Sequence, residues 1–160
     1  MSRMIKCRDR GLLAAMTVLS VSVDVPAPVD QVWAALTDWG RQGEWMLATR
    51  VRGTVQDGQG LGGEIEAVTG IGRLRIRDKM RVTRWEPPHL CLVVHYGTLV
   101  RGTGAFLVRE HPAGATVVWE ETLDLPLGRL GRLCWPLVRP AMRWGLARSL
   151  HRFARWATTA

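Results

Sequence analysis

The sequence predicts a single α+β domain, a curved seven-stranded antiparallel sheet with two short helices near its start and one long C-terminal helix that closes it over a cavity. Three observations predict this. Seven stretches alternate apolar and polar residues with the period of a half-buried strand. Between the first two stretches, a proline-bearing segment switches to helical spacing. After the seventh, the chain turns helical and carries arginines but no acid. The bulk properties agree. A chain of 160 residues suits one core, and 47% hydrophobic with 22% charged residues is a globular composition. No apolar run reaches the roughly 20 residues of a membrane span.

Residues 1–16 read as a flexible basic extension, and 17–160 as the folded domain. The start has the outline of a secretory signal, but "LSVSVDV" alternates as a strand does, and Met16 could itself serve as a start. Cys7, Cys91 and Cys134 form neither a disulfide framework nor a metal pattern, so the expected location is cytoplasmic. The first strand spans 17–25, with Leu19, Val21, Val23 and Val25 on one face. Pro26 and Pro28 end it. Asp30 is placed to cap a short helix with Val32, Trp33 and Leu36 inward, and Asp38 starts a second helical piece that runs to about Met46. A second strand covers 48–55.

The next hairpin, "GEIEAVTGIGRLRIRDKMRV", is expected to turn at Gly70-Ile71. That register sets Ala67 against Leu74 and Ile65 against Ile76 on one face, with Glu66 against Arg75 and Glu64 against Arg77 on the other. Strands at 89–97, 100–110 and 115–125 complete the sheet. The long helix is expected from 137 or 140 to 157, because Pro136 and Pro140 interrupt its start. Met142, Leu146, Ser149, Leu150 and Phe153 form its apolar side; Arg148, Arg152 and Arg155 lie opposite.

The net charge of +8 sits at the two ends of the chain. "RLRIRDKMR" looks like a nucleic-acid stripe, but acidic cross-strand partners make it a solvated face, and no nucleic-acid partner is expected. The C-terminal arginines with Trp135, Trp144 and Trp156 could meet an anionic membrane surface. An apolar face already lying on the sheet cannot also enter a bilayer, so this partner ranks below a small molecule. The residues leave the oligomeric state open.

"VDVPAPVDQVWAALTDWGRQGEWM" is similar to the opening of the START-like, or SRPBCC, superfamily, in Val32-Trp33, Leu36, Asp38-Trp39 and Trp45-Met46; "GATVVWEETLDLP" resembles its last strand. That superfamily includes polyketide cyclases and dehydrases, lipid-transfer domains and pollen-allergen proteins. The resemblance covers about residues 17–158 and implies a helix-grip fold around a small hydrophobic ligand, a lipid or a polyketide-like molecule. Trp33 is expected to anchor the first helix to the sheet. Trp39 and Trp45 are expected at the cavity mouth, either as core or with Trp45 or Met46 touching ligand.

Side-chain parity selects the inner face. Leu74, Ile76, Asp78, Met80 and Val82 share it on the fourth strand, and Val117, Trp119, Glu121 and Leu123 on the last. Phe106 then faces Trp119, with Gly102 and Gly104 leaving room beside them. His95 points inward unless a bulge hands that place to Tyr96. The expected ligand-binding residues are Trp45, Asp78, Met80, Phe106, Trp119, Glu121, Met142, Leu146, Ser149 and Phe153. Asp78, Glu121 and His95 are the candidates for general acid–base work, because a carboxylate among apolar neighbours must be paired or shift its pKa. No nucleophile–base–orienter set is visible, so no catalytic residue is assigned. Binding is the favoured reading, with a cyclase, aromatase or dehydrase, or a membrane-docking lipid carrier, as the alternatives. The four histidines lack metal-ligand spacing and "GTVQDGQGLGG" lacks a phosphate-loop lysine, so neither metal nor cofactor is expected.

Overall fold

A computed structural model of the chain describes residues 16–124 and 129–159. Apart from Met16, the basic extension expected over 1–16 lies outside the described residues. The elements are β1 (Met16–Val25), α1 (Val29–Leu36), a 3-10 segment (Trp39–Glu44), β2 (Thr49–Val55), β3 (Glu64–Ile71), β4 (Leu74–Glu86), β5 (Leu90–Tyr96), β6 (Arg101–His111), β7 (Gly114–Asp124) and α2 (Arg129–Trp156). All seven strands join one antiparallel sheet in the order β1-β7-β6-β5-β4-β3-β2. Strands β2 to β7 are a meander, and β1 returns to pair with β7.

The core fills the concave side of this sheet. Val32, Trp33 and Leu36 are the buried face of α1, as their spacing predicts. Pro28, not Asp30, occupies the N-cap. Asp30 sits in the first turn, where its charge favours the helix dipole without capping a backbone N–H. Trp33 meets Trp85 at 5.1 Å between ring centroids and so ties α1 to β4. Trp39 donates its indole N–H to the Gly58 carbonyl at 3.0 Å and anchors the 3-10 segment. Trp45 is fully buried, packed against Trp119 and Phe153. The aromatic density of residues 33–45 is therefore the seam between the short helical segments, the sheet and α2.

The β3–β4 hairpin turns at Gly72-Arg73, not at Gly70-Ile71. Gly72 supplies the positive φ of 62° that the tight turn requires. Both sites offer a glycine, and the later one lets the ladder continue through Gly70 opposite Arg75 and Ile71 opposite Leu74. The displacement changes every expected pair: Ala67 now faces Asp78 and Ile65 faces Met80. It leaves each residue on its expected face, because the register moves by an even number of residues. On the outer face Arg81 bonds Glu64 at 2.7 Å, and Glu66 accepts from Arg52 at 2.7 Å with Arg77 at 3.7 Å. Leu74 and Ile76 are exposed although they share the inner-face parity of Val82, because the hairpin projects beyond the end of β5.

Helix α2 begins at Arg129, earlier than its prolines suggest; Pro136 and Pro140 both lie inside it. Its two halves differ. The second half lies on the sheet, burying Ser149, Leu150, Phe153 and the following Ala157. The 3-10 segment clamps it: Arg152 donates to the Glu44 carbonyl at 2.9 Å, and Trp156 to the Glu44 carboxylate at 2.7 Å. The N-terminal part, which lies ahead of the helix expected from 137 or 140, has no such cover among its described residues: Leu130, Leu133 and Leu137 are exposed, and so is Trp144 further along.

Candidate functional site

A cleft of about 340 Å³ lies between the sheet and α2. Its sheet wall includes Asp78, Met80, His95, Trp119 and Glu121, and its helix wall Met142, Gly145, Leu146 and Ser149. Met46, Leu47 and Thr49 close one side, where the Ser149 hydroxyl accepts the Leu47 backbone N–H at 3.1 Å. A small recess of about 50 Å³ continues inward beside Phe106, Cys91 and Ile65.

His95 organises the polar part of the wall. Its Nδ1–H donates to Asp78 Oδ2 at 2.7 Å, and its Nε2–H to Glu121 Oε2 at 3.0 Å. Trp119 extends the chain by donating to Glu121 Oε1 at 2.7 Å. With both ring nitrogens donating, the imidazole is a cation. Burial alone pulls its pKa down, but the hydrogen bonds and charges of Asp78 and Glu121 outweigh burial and raise it to about 10. The formal charge of the array is −1.

The sheet explains how these groups meet. Asp78 and His95 lie on adjacent strands, with Met80 opposite His95. Glu121 lies on β7, two strands from β5, a span of roughly 10 Å. Gly104 of β6 stands between them, opposite Glu121. A Cβ at Gly104 would lie 2.9 Å from His95 Nε2 and 3.2 Å from both Glu121 carboxylate oxygens. The bridge therefore runs through the space a side chain would fill.

The structure places the expected residues as follows. Asp78, Met80, Trp119, Glu121, Met142, Leu146 and Ser149 line the cleft, and Phe106 lines the recess. Trp45 and Phe153 do not; their edge-to-face packing makes them core. Parity resolves His95 inward and Tyr96 outward, because the β5–β6 ladder contains no bulge. Parity does not name Thr49, Val100 and Gly145. Gly145 could have been found from its helical spacing to Met142 and Ser149. Two buried side-chain polar atoms among the described residues lack a hydrogen-bond partner, Asp78 Oδ1 and Trp45 Nε1. Burial pushes the Cys91 thiol up to about 12, so it is no thiolate nucleophile. Among the described residues no cluster of His, Cys, Asp and Glu has the arrangement of a metal site, and no helix is long and apolar enough to cross a membrane.

Comparisons place this geometry among known proteins. Over 75 residues, 46% of this chain, the sequence is 32% identical to the Mycobacterium tuberculosis H37Rv protein Rv1546; the match spans about half of that relative, 52% of its length. The fold is similar to the crystal structure of TTHA0849 from Thermus thermophilus, with a TM-score of 0.75 at 15% identity, covering 89% of this chain and 98% of that one. It is also similar to the di-domain ARO/CYC StfQ from the steffimycin biosynthetic pathway, with a TM-score of 0.71 at 11% identity, covering 90% of this chain and 51% of that one. At such identities these structures establish the fold alone. The profile of the polyketide cyclase / dehydrase and lipid transport family matches residues 16–157, and the chain belongs to that family.

Proposed function

We propose that the chain binds a small, uncharged, largely apolar molecule, a lipid or a polyketide-like compound, in the cleft between the sheet and α2. We further propose that the molecule is oriented by a hydroxyl or enol donating to Asp78. The observation that carries this is the Asp78–His95–Glu121 array on an otherwise mainly apolar wall. The volume of about 340 Å³ is at the small end of the range for ligand sites. Asp78 lies on the cleft wall and its Oδ1 has no hydrogen-bond partner among the described residues, so a small turn of the carboxylate toward the cleft would let a ligand hydroxyl satisfy it. The array's net charge disfavours a ligand carboxylate, which would add a second uncompensated negative charge in a poorly solvated place.

Titration with dodecanol and dodecanoate, followed by calorimetry, tests the reading. Dodecanol is expected to bind at least about tenfold more tightly, the worth of one hydrogen bond of ~1.4 kcal/mol. Asp78→Leu removes the acceptor and is expected to erase that margin. Asp78→Asn keeps an acceptor, so it should retain dodecanol within a few-fold and relax the exclusion of dodecanoate. Equal affinities in the unmodified protein, or no saturable binding of either, would overturn the proposal.

A second reading, a cyclase or dehydrase working by proton transfer at a carbonyl substrate, is favoured by three ionisable groups joined within 3.0 Å on the cleft wall. In an enzyme, Asp78→Asn and Glu121→Gln abolish turnover while binding survives. In a carrier they leave the affinity for an uncharged ligand within a few-fold.

A further inference from the structure

We infer that the end of the molecule formed by the first half of α2 and the β3–β4 hairpin tip docks onto an anionic lipid bilayer surface. The N-terminal part of α2 leaves large apolar side chains in water. Leu137 is 82% exposed, Leu133 75% and Trp144 66%; exposed Arg139 and Arg143 fall between them in sequence and point to other sides of the helix. At the hairpin tip Ile71 is 81% and Leu74 86% exposed, with Arg73 and Arg75 adjoining them in sequence.

Topology brings these features together. The β3–β4 tip, the β5–β6 turn with exposed Leu99, and the end of β7 from which the chain passes toward α2 all lie at one end of the sheet. Residues 70–77, 97–101 and 125–160 contain arginines and no Asp or Glu, and Asp124 is the acid at the end of β7 beside them. Apolar tips interleaved with arginines and a tryptophan suit the boundary between headgroups and acyl chains: the tips enter, the guanidinium groups meet phosphates, and the indole sits at the interface. An acidic protein partner would satisfy the charges. It would not account for separate apolar tips, each flanked by its own arginines, as a lipid surface does.

The same end borders the cleft, since Ile76, Val100 and Met142 belong to these segments and also line its walls. Docking therefore sets the cleft against the bilayer, where an apolar molecule can pass without crossing water. The docking itself does not depend on what the cleft holds, so it can fail or hold independently of the proposal above.

The test is flotation of the full chain with vesicles of phosphatidylcholine alone and with about one third phosphatidylglycerol, a strongly anionic surface. Binding is expected on the anionic vesicles, at least about tenfold weaker on the neutral ones, and weakened by salt. The exposed pair Leu137→Ser with Trp144→Ser, and separately Ile71→Ser with Leu74→Ser, should each reduce binding about tenfold or more while leaving melting temperature and dodecanol binding unchanged. Equal binding to both vesicles, no binding to either, or full binding by both double variants would overturn the inference. So would sedimentation showing a dimer that Leu137→Ser dissociates, since the face would then belong to a second copy of the chain.

Discussion

The two faces of strands β3 to β5 carry charge in opposite ways. On the outer face, Arg81 with Glu64 and Arg52 and Arg77 with Glu66 form a lattice whose arginines remain largely in water. On the inner face, Asp78, His95 and, from β7, Glu121 form a shorter chain whose central ring is almost wholly buried. The outer pairs are built from long, solvated side chains that can find other partners, so each contributes little. The inner groups have given up water and depend on one another. The sheet tolerates charge wherever it is wet. It holds charge on its dry face where a glycine makes room, beside the cleft. That contrast is the reason for taking the inner array as the candidate site.

Removing the centre of the array should break the comparison most severely. His95→Leu leaves two inward carboxylates without their cation and is expected to destabilise the fold by about 3–5 kcal/mol in chemical denaturation. Adding Asp78→Asn and Glu121→Gln to that variant should recover part of the loss. A cost in His95→Leu no larger than that of an outer-face variant would make the two faces equivalent. A smaller effect is expected from Gly104→Ala, about 1–3 kcal/mol, because the methyl group presses on His95 and Glu121. It should weaken dodecanol binding as well, which a variant that merely crowds the sheet away from the cleft would leave alone. Least of all, Arg52→Ala should leave the melting temperature unresolved from that of the unmodified protein, since Arg77 also lies near Glu66.

Period-two alternation made much of the site legible before any coordinates. It assigned Asp78, Met80, Trp119 and Glu121 to one face, and an even displacement of the β3–β4 register left those assignments intact. Pairing partners were another matter: Gly70 and Gly72 offer competing turns, and local sequence does not rank them. The meeting of His95 with Glu121 was also out of reach. It needs the strand order and the absence of a side chain at Gly104 together, and neither residue's own neighbours in sequence report on the other. Helical spacing correctly gave the inner side of α2 from Met142 to Phe153. It could not say that Leu133 and Leu137 would stay exposed, because amphipathicity shows which face seeks cover and not whether cover exists. The tryptophans show the same limit. Trp45 and Trp119 are equally apolar in sequence, yet one is sealed in the core and the other borders the cleft.

The charge state of His95 carries the most weight. Folding raises its pKa from 6.5 to about 10, so its stabilising contribution is whole below about pH 6.5 and is lost as pH climbs through about 10. Nitrogen NMR of the His95 ring reads this directly. Two protonated ring nitrogens are expected at about pH 8, with titration beginning well above that. A neutral ring at that pH, with one nitrogen bare, would contradict it.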